Sequence, residues 1–358
     1  MNKSVFLFAG EQSGDNIGAH LVHLLKNHSF DCLGVGGKKM EAQGLKLVYS
    51  MEHFQVMGFI QVLKKLPQIL NSFFQVKKSI LNLNPAIVIF IDYPGFSLKM
   101  AKKLKESGYK GKIVQYVCPS IWAWKKNRKL TLEKYFDLVF TLFSFEKSIF
   151  DQSNLKAIWC GHPFALSEEK NVPKTHLIIF PGSRKSTIEL NLKYQLEAAE
   201  TFRKTTLIPI GISCARQSLL KTIQAINTQN YPIFINGEEK ELAKFAIATS
   251  GTITFELALR GVLAAVTYKV KLLDGLIAKY IFKLKLKCYC IVNIIMQEEI
   301  YKEFIGWLPS SQSIYEYLIE TSKTEFPKEN FKKKVYNPFH DTLFMDGIFD
   351  LLKDNPTA

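Results

Sequence analysis

The sequence of 358 residues lacks the patterns of an exported or membrane-spanning protein. No uncharged apolar run approaches the roughly 18 residues that a membrane-spanning helix needs. The N-terminus passes from Met1-Asn2-Lys3 directly into an apolar strand pattern, without the successive regions of a signal peptide. We therefore expect a cytoplasmic protein that meets a membrane only at its surface.

Patterns that bind metals or common cofactors are also missing. The six cysteines form no C-x-x-C pair, and the seven histidines are scattered without an H-x-x-x-H spacing. This usage fits reduced core thiols in a cytosolic protein rather than a disulfide framework or a short-range metal site. There is no P-loop, no G-x-S-x-G elbow and no G-x-G-x-x-G dinucleotide motif. We therefore expect no metal and no cofactor.

Positive charge, by contrast, is abundant. Lys and Arg number 47 against 32 Asp and Glu, a formal net charge of +15, which favours anionic partners. No nucleic-acid recognition module occurs, so we predict no nucleic-acid partner and favour an anionic membrane surface. Two basic amphipathic stretches, residues 57–78 and 268–287, have the composition of helices that lie on anionic lipid. An ordinary core helix with a solvated lysine face is the alternative for each.

Short apolar runs alternate with helical patterns along most of the chain. Strand patterns occur at 5–9, 32–35, 86–91, 113–117, 138–142 and 157–160, and, after Leu177, near 206–210, 231–235, 246–249 and 262–266. Such alternation predicts α/β domains with parallel sheets and with ligands at the C-terminal ends of the strands. The polar, proline-bearing stretch 161–175 indicates a linker. We predict two Rossmann-like domains, 1–165 and 175–334, and a C-terminal tail, about 335–358, that returns to the first.

Three turns at strand ends of the first domain carry side chains suited to ligand binding. The glycine-bearing turn 10–15 offers Glu11 and Ser13, Asp92 ends a strongly β-forming run, and Trp122 lies in a tryptophan block at 119–124. A carboxylate at Asp92 could act as a general base on an alcohol. The structural alternatives are an Asx turn at Asp92, a helix cap at Ser13 or Asp15, and a buried aromatic pair around Trp122.

Two turns of the second domain have the features of anion sites. Pro181-Gly182-Ser183-Arg184 and Ser250-Gly251-Thr252 each follow an apolar run and precede a helical pattern. Helix N-termini bind phosphate through backbone N–H groups, and an arginine can clamp it. One such turn alone is an ordinary strand–turn–helix corner, but two in one sheet predict a nucleotide subsite. Its predicted members are Gly182, Ser183, Arg184, Ser250, Gly251, Thr252 and Glu256, the last as acceptor of the ribose hydroxyls.

These blocks together resemble the bacterial lipid A disaccharide synthase family. The resemblance runs from Phe8 to about Gly306, with three departures. Gln12 stands where threonine is common in the family, Val292 where proline is usual, and Gly306 where the family has glutamine. The matching blocks, in the family's order, are Ala-Gly-Glu-Gln-Ser-Gly-Asp at 9–15, Gly-Val-Gly-Gly at 34–37, Val-Met-Gly-Phe at 56–59, Ile-Asp-Tyr-Pro-Gly-Phe at 91–96, Pro-Ser-Ile-Trp-Ala-Trp at 119–124, Gly-His-Pro at 161–163, Pro-Gly-Ser-Arg at 181–184 and Ser-Gly-Thr-Ile-Thr-Phe-Glu at 250–256.

The resemblance implies a GT-B fold, in which two Rossmann-like domains face a cleft. It implies a metal-free, inverting transfer of 2,3-diacylglucosamine from UDP-2,3-diacylglucosamine to the 6-hydroxyl of 2,3-diacylglucosamine 1-phosphate, which releases UDP. Asp92 would be the general base, Arg184 and Glu256 would hold UDP, and Asn293 would belong to the substrate site. The first domain would bind the acceptor and the second the UDP-sugar. A homodimer, and a peripheral location on the inner face of a Gram-negative-type inner membrane, are further expectations.

Two other functions stay open at this point. One is a different UDP-sugar GT-B enzyme, such as the peptidoglycan glucosaminyltransferase or a UDP-sugar epimerase, against which the tryptophan block and Asp92 argue. The other is a basic, non-catalytic protein that binds a nucleotide or a lipid.

Overall fold

The computed structural model describes residues 3–54, 59–122, 126–166, 172–235, 237–269, 288–307 and 309–353, with the backbone alone at 59–66. The chain divides into two compact units. Unit 1 comprises Met1–Leu166 with Val335–Ala358, and unit 2 comprises Ser167–Lys334. Among the described residues, none of the helices is long and apolar enough to cross a membrane.

A parallel sheet forms the centre of unit 1. Its strands are β1 (Ser4–Ala9), β2 (Asp31–Gly36), β3 (Lys46–Ser50), β4 (Ile87–Ile91), β5 (Lys112–Tyr116), β6 (Leu138–Thr141) and β7 (Ala157–Trp159). The strand order is β3-β2-β1-β4-β5-β6-β7. The helices of this unit are α1 (Gln12–Asn27), α2 (Lys38–Ala42), α3 (Phe59–Leu83), α4 (Pro94–Glu106), α5 (Arg128–Tyr135) and α6 (Ser144–Lys147). Every residue of β4 is buried, as expected for a parallel strand with both faces covered.

A second parallel sheet forms the centre of unit 2. Its strands are β8 (His176–Phe180), β9 (Ile210–Ser213), β10 (Ile233–Phe234), β11 (Ala243–Thr249), β12 (Leu263–Lys269) and β13 (Glu303–Gly306), in the order β10-β9-β8-β11-β12-β13. The helices that follow these strands are α7 (Lys185–Thr206), α8 (Leu220–Ile226), α9 (Glu239–Leu242), α10 (Thr252–Leu259), α11 (Ile291–Met296), α12 (Ser311–Thr321) and α13 (Lys328–Val335).

The last helix, α14 (His340–Lys353), belongs to unit 1 although it follows unit 2 in the chain. Phe344 and Ile348 are fully buried in the same cluster as Leu7 and the other side chains on that face of β1. The Phe344 ring lies 5.1 Å from that of Phe140. Gly347 packs so closely on Phe140 that an added Cβ would come within 2.8 Å of its ring. The predicted fold class, two parallel-sheet α/β units with a returning C-terminal helix, is confirmed.

Several elements differ from the sequence expectations. The strand expected at 206–210 begins only at Ile210, because Leu207 ends α7 in a left-handed conformation with φ of 61°. The edge strands β3 and β13 were not predicted; their residues are mostly half-buried or exposed, so apolar patterning is weak there. Pro67, which in a helical pattern predicts a kink or the start of a new segment, lies inside the single long helix α3. Of the basic stretch 268–287, residues 268–269 belong to β12 and residues 270–287 lie outside the described part.

Candidate active site

Most of the predicted site residues follow strands at which the strand order of each sheet reverses; Trp122 follows β5 and Asn293 comes after β12. In unit 1 the reversal lies between β1 and β4, where Ala9 pairs with Ile91 and the chain continues into the 10–15 turn and into Asp92. In unit 2 it lies between β8 and β11, where Phe180 pairs with Ala248. Such switch points open a crevice at the C-terminal edge of a parallel sheet, where ligands bind in open α/β folds.

Asp92 lies in a strained corner. It has φ of 53°, and Tyr93 follows with φ of 56°, so two non-glycine residues in succession are left-handed, at a cost of order 1–3 kcal/mol each. The Asp92 N–H donates to the Tyr116 carbonyl at 2.8 Å, and Gln115 Nε2 donates to the Asp92 carbonyl at 3.2 Å. The Tyr93 hydroxyl donates to the Phe54 carbonyl at 2.8 Å. These bonds hold the corner in its conformation, which is typical of a functional site.

The electrostatic surroundings of Asp92 suit a proton acceptor. Burial raises the pKa of this carboxyl, while a hydrogen bond from the Tyr93 backbone N–H and the positive charge of Arg128 act in the opposite direction. A raised pKa brings a carboxylate base closer to neutral pH, where general-base catalysis is most effective. Arg128, the first residue of α5, was not singled out in the sequence, because nothing local indicates that it faces Asp92.

The glycine turn after β1 contacts the same corner. An added Cβ on Gly10 would lie only 3.0 Å from the Tyr93 ring, so a larger residue here would press on that ring. Glu11 is the N-cap residue of α1, and its charge contributes to raising the pKa of Tyr93. Ser13 lies in the first turn of α1 and is partly exposed. The structure thus brings the turn with Glu11 and Ser13 to the strand end beside Asp92.

Asp15, in the same turn region, has a structural role. Its side chain is buried and accepts backbone N–H bonds from Gly37 at 2.8 Å, Met40 at 3.1 Å and Lys39 at 3.2 Å. It therefore caps α2, whereas the sequence alternative placed it as a cap of α1. The bond to Gly37 joins the first glycine block to the Gly-Val-Gly-Gly block.

Trp122 is held by a buried carboxyl that the sequence did not reveal. Trp122 Nε1 donates to Glu146 Oε1 at 3.2 Å, while Glu146 Oε2 accepts from the backbone N–H groups of Leu142 and Phe143, both at 3.2 Å. Burial raises the pKa of Glu146 to about 8; the three N–H donors act against this rise, and the charge of Asp92 adds to it. The only local signal is the position of Glu146 in the first turn of α6, typical of a capping box.

The tryptophan block continues beyond Trp122 into residues 123–125, which lie outside the described part of the chain. Within the described residues, the Trp122 ring meets the Phe145 ring edge-to-face at 5.7 Å. Glu146 and Phe145 therefore fix the indole from two sides, and Trp122 is part of an ordered wall in unit 1.

In unit 2, the turn after β8 depends on Gly182. This residue has φ of 110°, and an added Cβ would lie 2.8 Å from Thr187 Cγ2 and 3.2 Å from Thr249 Oγ1. The Thr249 hydroxyl donates to the Phe180 carbonyl at 3.2 Å and joins the ends of β11 and β8. Arg216 Nη2 donates to the Ser183 carbonyl at 2.6 Å. Arg216 was not predicted, because only strand order shows that β9 lies beside β8.

Two helices begin at this edge of the second sheet. Arg184 is the N-cap residue of α7 and Gly251 that of α10, and neither residue makes a side-chain capping hydrogen bond. Ser183, Arg184, Gly251 and Thr252 are exposed, and Ser250 is half-buried. The arrangement presents two helix N-termini and a guanidinium to solvent, a combination that can bind a diphosphate.

Glu256 lies one turn into α10 and is paired with a cation. Lys240 Nζ lies 2.6 Å from Glu256 Oε2, and both side chains are largely buried. The sequence did not predict this pair, since α9 and α10 are separated by β11. A ribose hydroxyl bound by Glu256 would share the carboxylate with Lys240.

Asn293 is buried, and its amide is engaged within its own segment. Its Nδ2 donates to the Tyr301 carbonyl at 2.7 Å and to Glu303 Oε1 at 2.9 Å, and its Oδ1 accepts from the N–H groups of Ile300 and Tyr301. The side chain therefore orders the turn that leads into β13. Direct contact of Asn293 with a substrate stays a prediction.

Comparison with known protein sequences identifies the family. The chain matches the lipid-A-disaccharide synthetase family over residues 5–337. It is 35% identical to the lipid-A-disaccharide synthase of Chlamydia trachomatis serovar D over 95% of its own length, but spans only 60% of that relative. It is 30% identical to the lipid-A-disaccharide synthase of Coxiella burnetii, and the match covers 87% of each chain.

Solved structures with low identity share the fold. The UDP-GlcNAc 2-epimerase of Methanocaldococcus jannaschii superposes with a TM-score of 0.61 at 12% identity, covering 97% of this chain and 99% of that one. A calicheamicin glycosyltransferase superposes with a TM-score of 0.57 at 9% identity, covering 99% of each. These likenesses indicate the GT-B fold, and together with the match over residues 5–337 they lead to one conclusion: the chain belongs to the lipid-A-disaccharide synthetase family.

Proposed function

We propose that this protein is a lipid A disaccharide synthase, a glycosyltransferase that joins two acylated glucosamine units. The donor is UDP-2,3-diacylglucosamine, the acceptor is 2,3-diacylglucosamine 1-phosphate, and the products are a β-1,6-linked disaccharide 1-phosphate and UDP. The observation that carries the proposal is the pair of switch-point sites in a chain of this family. One holds a carboxylate with a raised pKa, and the other holds two helix N-termini beside an arginine.

In unit 1, Asp92 is the general base. Its carboxylate takes the proton of the acceptor 6-hydroxyl as that oxygen attacks the anomeric carbon of the donor, and the bond from that carbon to the UDP oxygen breaks. One in-line displacement inverts the configuration and needs no covalent intermediate. Glu11, Ser13 and Trp122 bind the acceptor sugar.

In unit 2, the two turns hold the leaving group. Gly182, Ser183, Ser250, Gly251 and Thr252 contribute backbone N–H groups and hydroxyls to the diphosphate, and the guanidinium of Arg184 stabilises the charge that develops on UDP. Preorganised donors of this kind are usually the largest single contribution to catalysis. Glu256 accepts from the ribose hydroxyls, and Lys240 keeps that carboxylate in place. We assign Asn293 a positioning role through the turn that it orders.

Mass spectrometry of the products tests the proposal. Purified protein with both acylated substrates is expected to form the disaccharide 1-phosphate and UDP in equal amounts. Consumption of UDP-GlcNAc with formation of its C2 epimer would instead indicate a UDP-sugar epimerase. Binding of either substrate without turnover would indicate a non-catalytic binding protein.

We also propose that the protein works on the inner face of the bacterial inner membrane, because both substrates carry acyl chains. Support comes from α3, which exposes Leu70 (47%) and Phe74 (59%) one turn apart, close to Lys77 and Lys78. An apolar ridge beside lysines suits an anionic lipid surface. A homodimer stays a prediction from the family resemblance.

Sedimentation with vesicles tests the membrane proposal. Phe74→Glu is expected to reduce binding to phosphatidylglycerol vesicles at low salt, because it removes apolar contact and adds a like charge. Leu207→Glu is the matched control, since Leu207 is also strongly exposed (83%) but lies in unit 2. Equal binding by both variants and the parent protein would remove α3 from the proposed membrane contact.

A further inference from the structure

Three side chains from the first and the last helix of unit 1 converge apart from the residues assigned to the reaction. His20 lies on α1, and His340 and Asp341 begin α14. Asp341 Oδ1 lies 2.7 Å from His20 Nε2 and 2.7 Å from His340 Nδ1. All three atoms lie within 4.8 Å of one another. Motif spacing could not reveal this group, because His20 and Asp341 are 321 positions apart in the sequence.

We propose that His20, His340 and Asp341 bind a divalent transition-metal ion of the zinc type and thereby join α14 to α1. Two imidazole nitrogens and one carboxylate oxygen are a donor set that Zn²⁺ commonly takes, with metal–ligand distances of about 2.0–2.2 Å. Ligands at such distances lie about 3–4 Å apart around a tetrahedral ion. The observed convergence within 4.8 Å therefore needs only small side-chain movements.

The exposure of the three residues suits an ion that enters from solvent. The His20 side chain is 32% exposed and that of Asp341 is 48% exposed, while His340 is buried at 1%. One face of the group is thus open for an ion and for the water that completes its coordination. The other face is fixed by the protein, as metal sites require.

A hydrogen-bonded shell behind His340 supports ligation. His340 Nε2 lies 2.7 Å from the Tyr116 hydroxyl, and that hydroxyl lies 3.6 Å from Cys160 Sγ. Without a metal, the Tyr116 hydroxyl can donate to Nε2 while His340 Nδ1–H donates to Asp341. When Nδ1 ligates an ion, Nε2 carries the proton and donates to Tyr116, whose own proton can turn to Cys160. A metal-ligating histidine ordinarily has such a partner on its second nitrogen.

A hydrogen-bonded trio without an ion would use the same contacts, so binding must be measured. Zinc chloride is titrated into metal-stripped full-length protein and followed by calorimetry. We expect the parent protein to bind one zinc ion per chain. In His20→Gln and in Asp341→Asn the affinity for zinc is expected to be weaker by at least about tenfold. Both substitutions are at partly exposed positions, so that the packing of His340 is left intact. His23→Gln is the matched control, because His23 is exposed on the same helix and lies outside the group.

Two further measurements make the result decisive. Zinc is expected to raise the melting temperature of the parent protein and of His23→Gln, but not that of His20→Gln or Asp341→Asn. A Co²⁺ absorption spectrum is expected to show nitrogen and oxygen ligation. Absence of saturable binding below millimolar zinc would overturn the site, and so would undiminished binding in both variants. Thiolate-to-cobalt charge-transfer bands would place the ion on cysteine and reject the proposal. None of these outcomes depends on glycosyltransferase activity.

Discussion

The two switch-point sites have the same position in their sheets but are built differently. In unit 1, the Asp92 corner is left-handed, closely packed and surrounded by ionisable groups such as Arg128 and Glu146. In unit 2, the turns around Arg184 and Gly251 are exposed and consist mostly of backbone at helix N-termini. Packing and burial tune proton affinity, whereas open N–H groups bind charge. The difference supports the roles proposed above, proton transfer in unit 1 and anion binding in unit 2.

Asp92→Asn is the substitution with the largest expected effect. Asparagine keeps the shape of the corner but cannot accept a proton, so we expect turnover to fall by about 10²-fold or more. UDP affinity, measured by calorimetry, should change little, because the turns of unit 2 are untouched. A variant with near-normal turnover would show that Asp92 is not the base.

Arg184→Ala tests the opposite side of the comparison. Loss of a charge-assisted contact to phosphate is expected to weaken UDP binding by about tenfold or more. Lys185→Ala is the control, since Lys185 is the next residue, is also exposed and pairs with Glu189 at 3.8 Å. If both variants bound UDP as the parent protein does, the anion site would have to lie elsewhere in unit 2.

Glu146→Gln tests whether burial controls ionisation in unit 1. The folded pKa of Glu146 is raised to about 8 from 4.5, so the folded state holds a proton that the unfolded state releases. The contribution of Glu146 to the free energy of unfolding is therefore fully present below the pKa of the unfolded state, and it is lost as pH rises through the pKa of the folded state. Between about pH 6 and about pH 9 the free energy of unfolding should fall by on the order of 3 kcal/mol through this group. The glutamine variant should not show this fall, because glutamine does not titrate.

Urea unfolding at both pH values measures how strongly the free energy of unfolding of each protein depends on pH. The exposed Glu41→Gln serves as control and should keep the pH dependence of the parent protein. If the free energy of unfolding of Glu146→Gln depended on pH as that of the parent protein does, Glu146 would be ionised in the folded state throughout this range.

The sequence was sufficient for the elements whose pattern is local. The run Ile87–Ile91 is apolar throughout because both faces of β4 are covered, and the turns at Asp92 and Gly182 directly follow such runs. Periodicity therefore located the strands, and strand ends located the candidate site. The weakly patterned edge strands β3 and β13 were missed, since much of their stabilisation comes from pairing with a neighbour.

The supporting residues could not be predicted in the same way. Glu146 matters because it meets Trp122, 24 residues away, and Arg216 because it meets Ser183, 33 residues away. Those contacts depend on strand order, which no local pattern encodes. Asn293 differs in origin, because only the family resemblance implied a place for it in the substrate site. The structure adds that its amide orders its own turn.

Arg128→Gln has the smallest expected effect and tests the electrostatic surroundings of Asp92 most selectively. The charge of Arg128 lowers the pKa of Asp92 against the larger effect of burial, so its removal raises that pKa further. A base acts when deprotonated; the acid limb of the pH–rate profile should therefore move to higher pH, with turnover at high pH nearly retained. Lys129→Gln removes the neighbouring charge, which pairs with Glu133 at 3.5 Å, and should leave the limb in place. Equal shifts in both variants would indicate a general effect of net charge, whereas a shift confined to Arg128→Gln would tie the titrating group to the corner at Asp92.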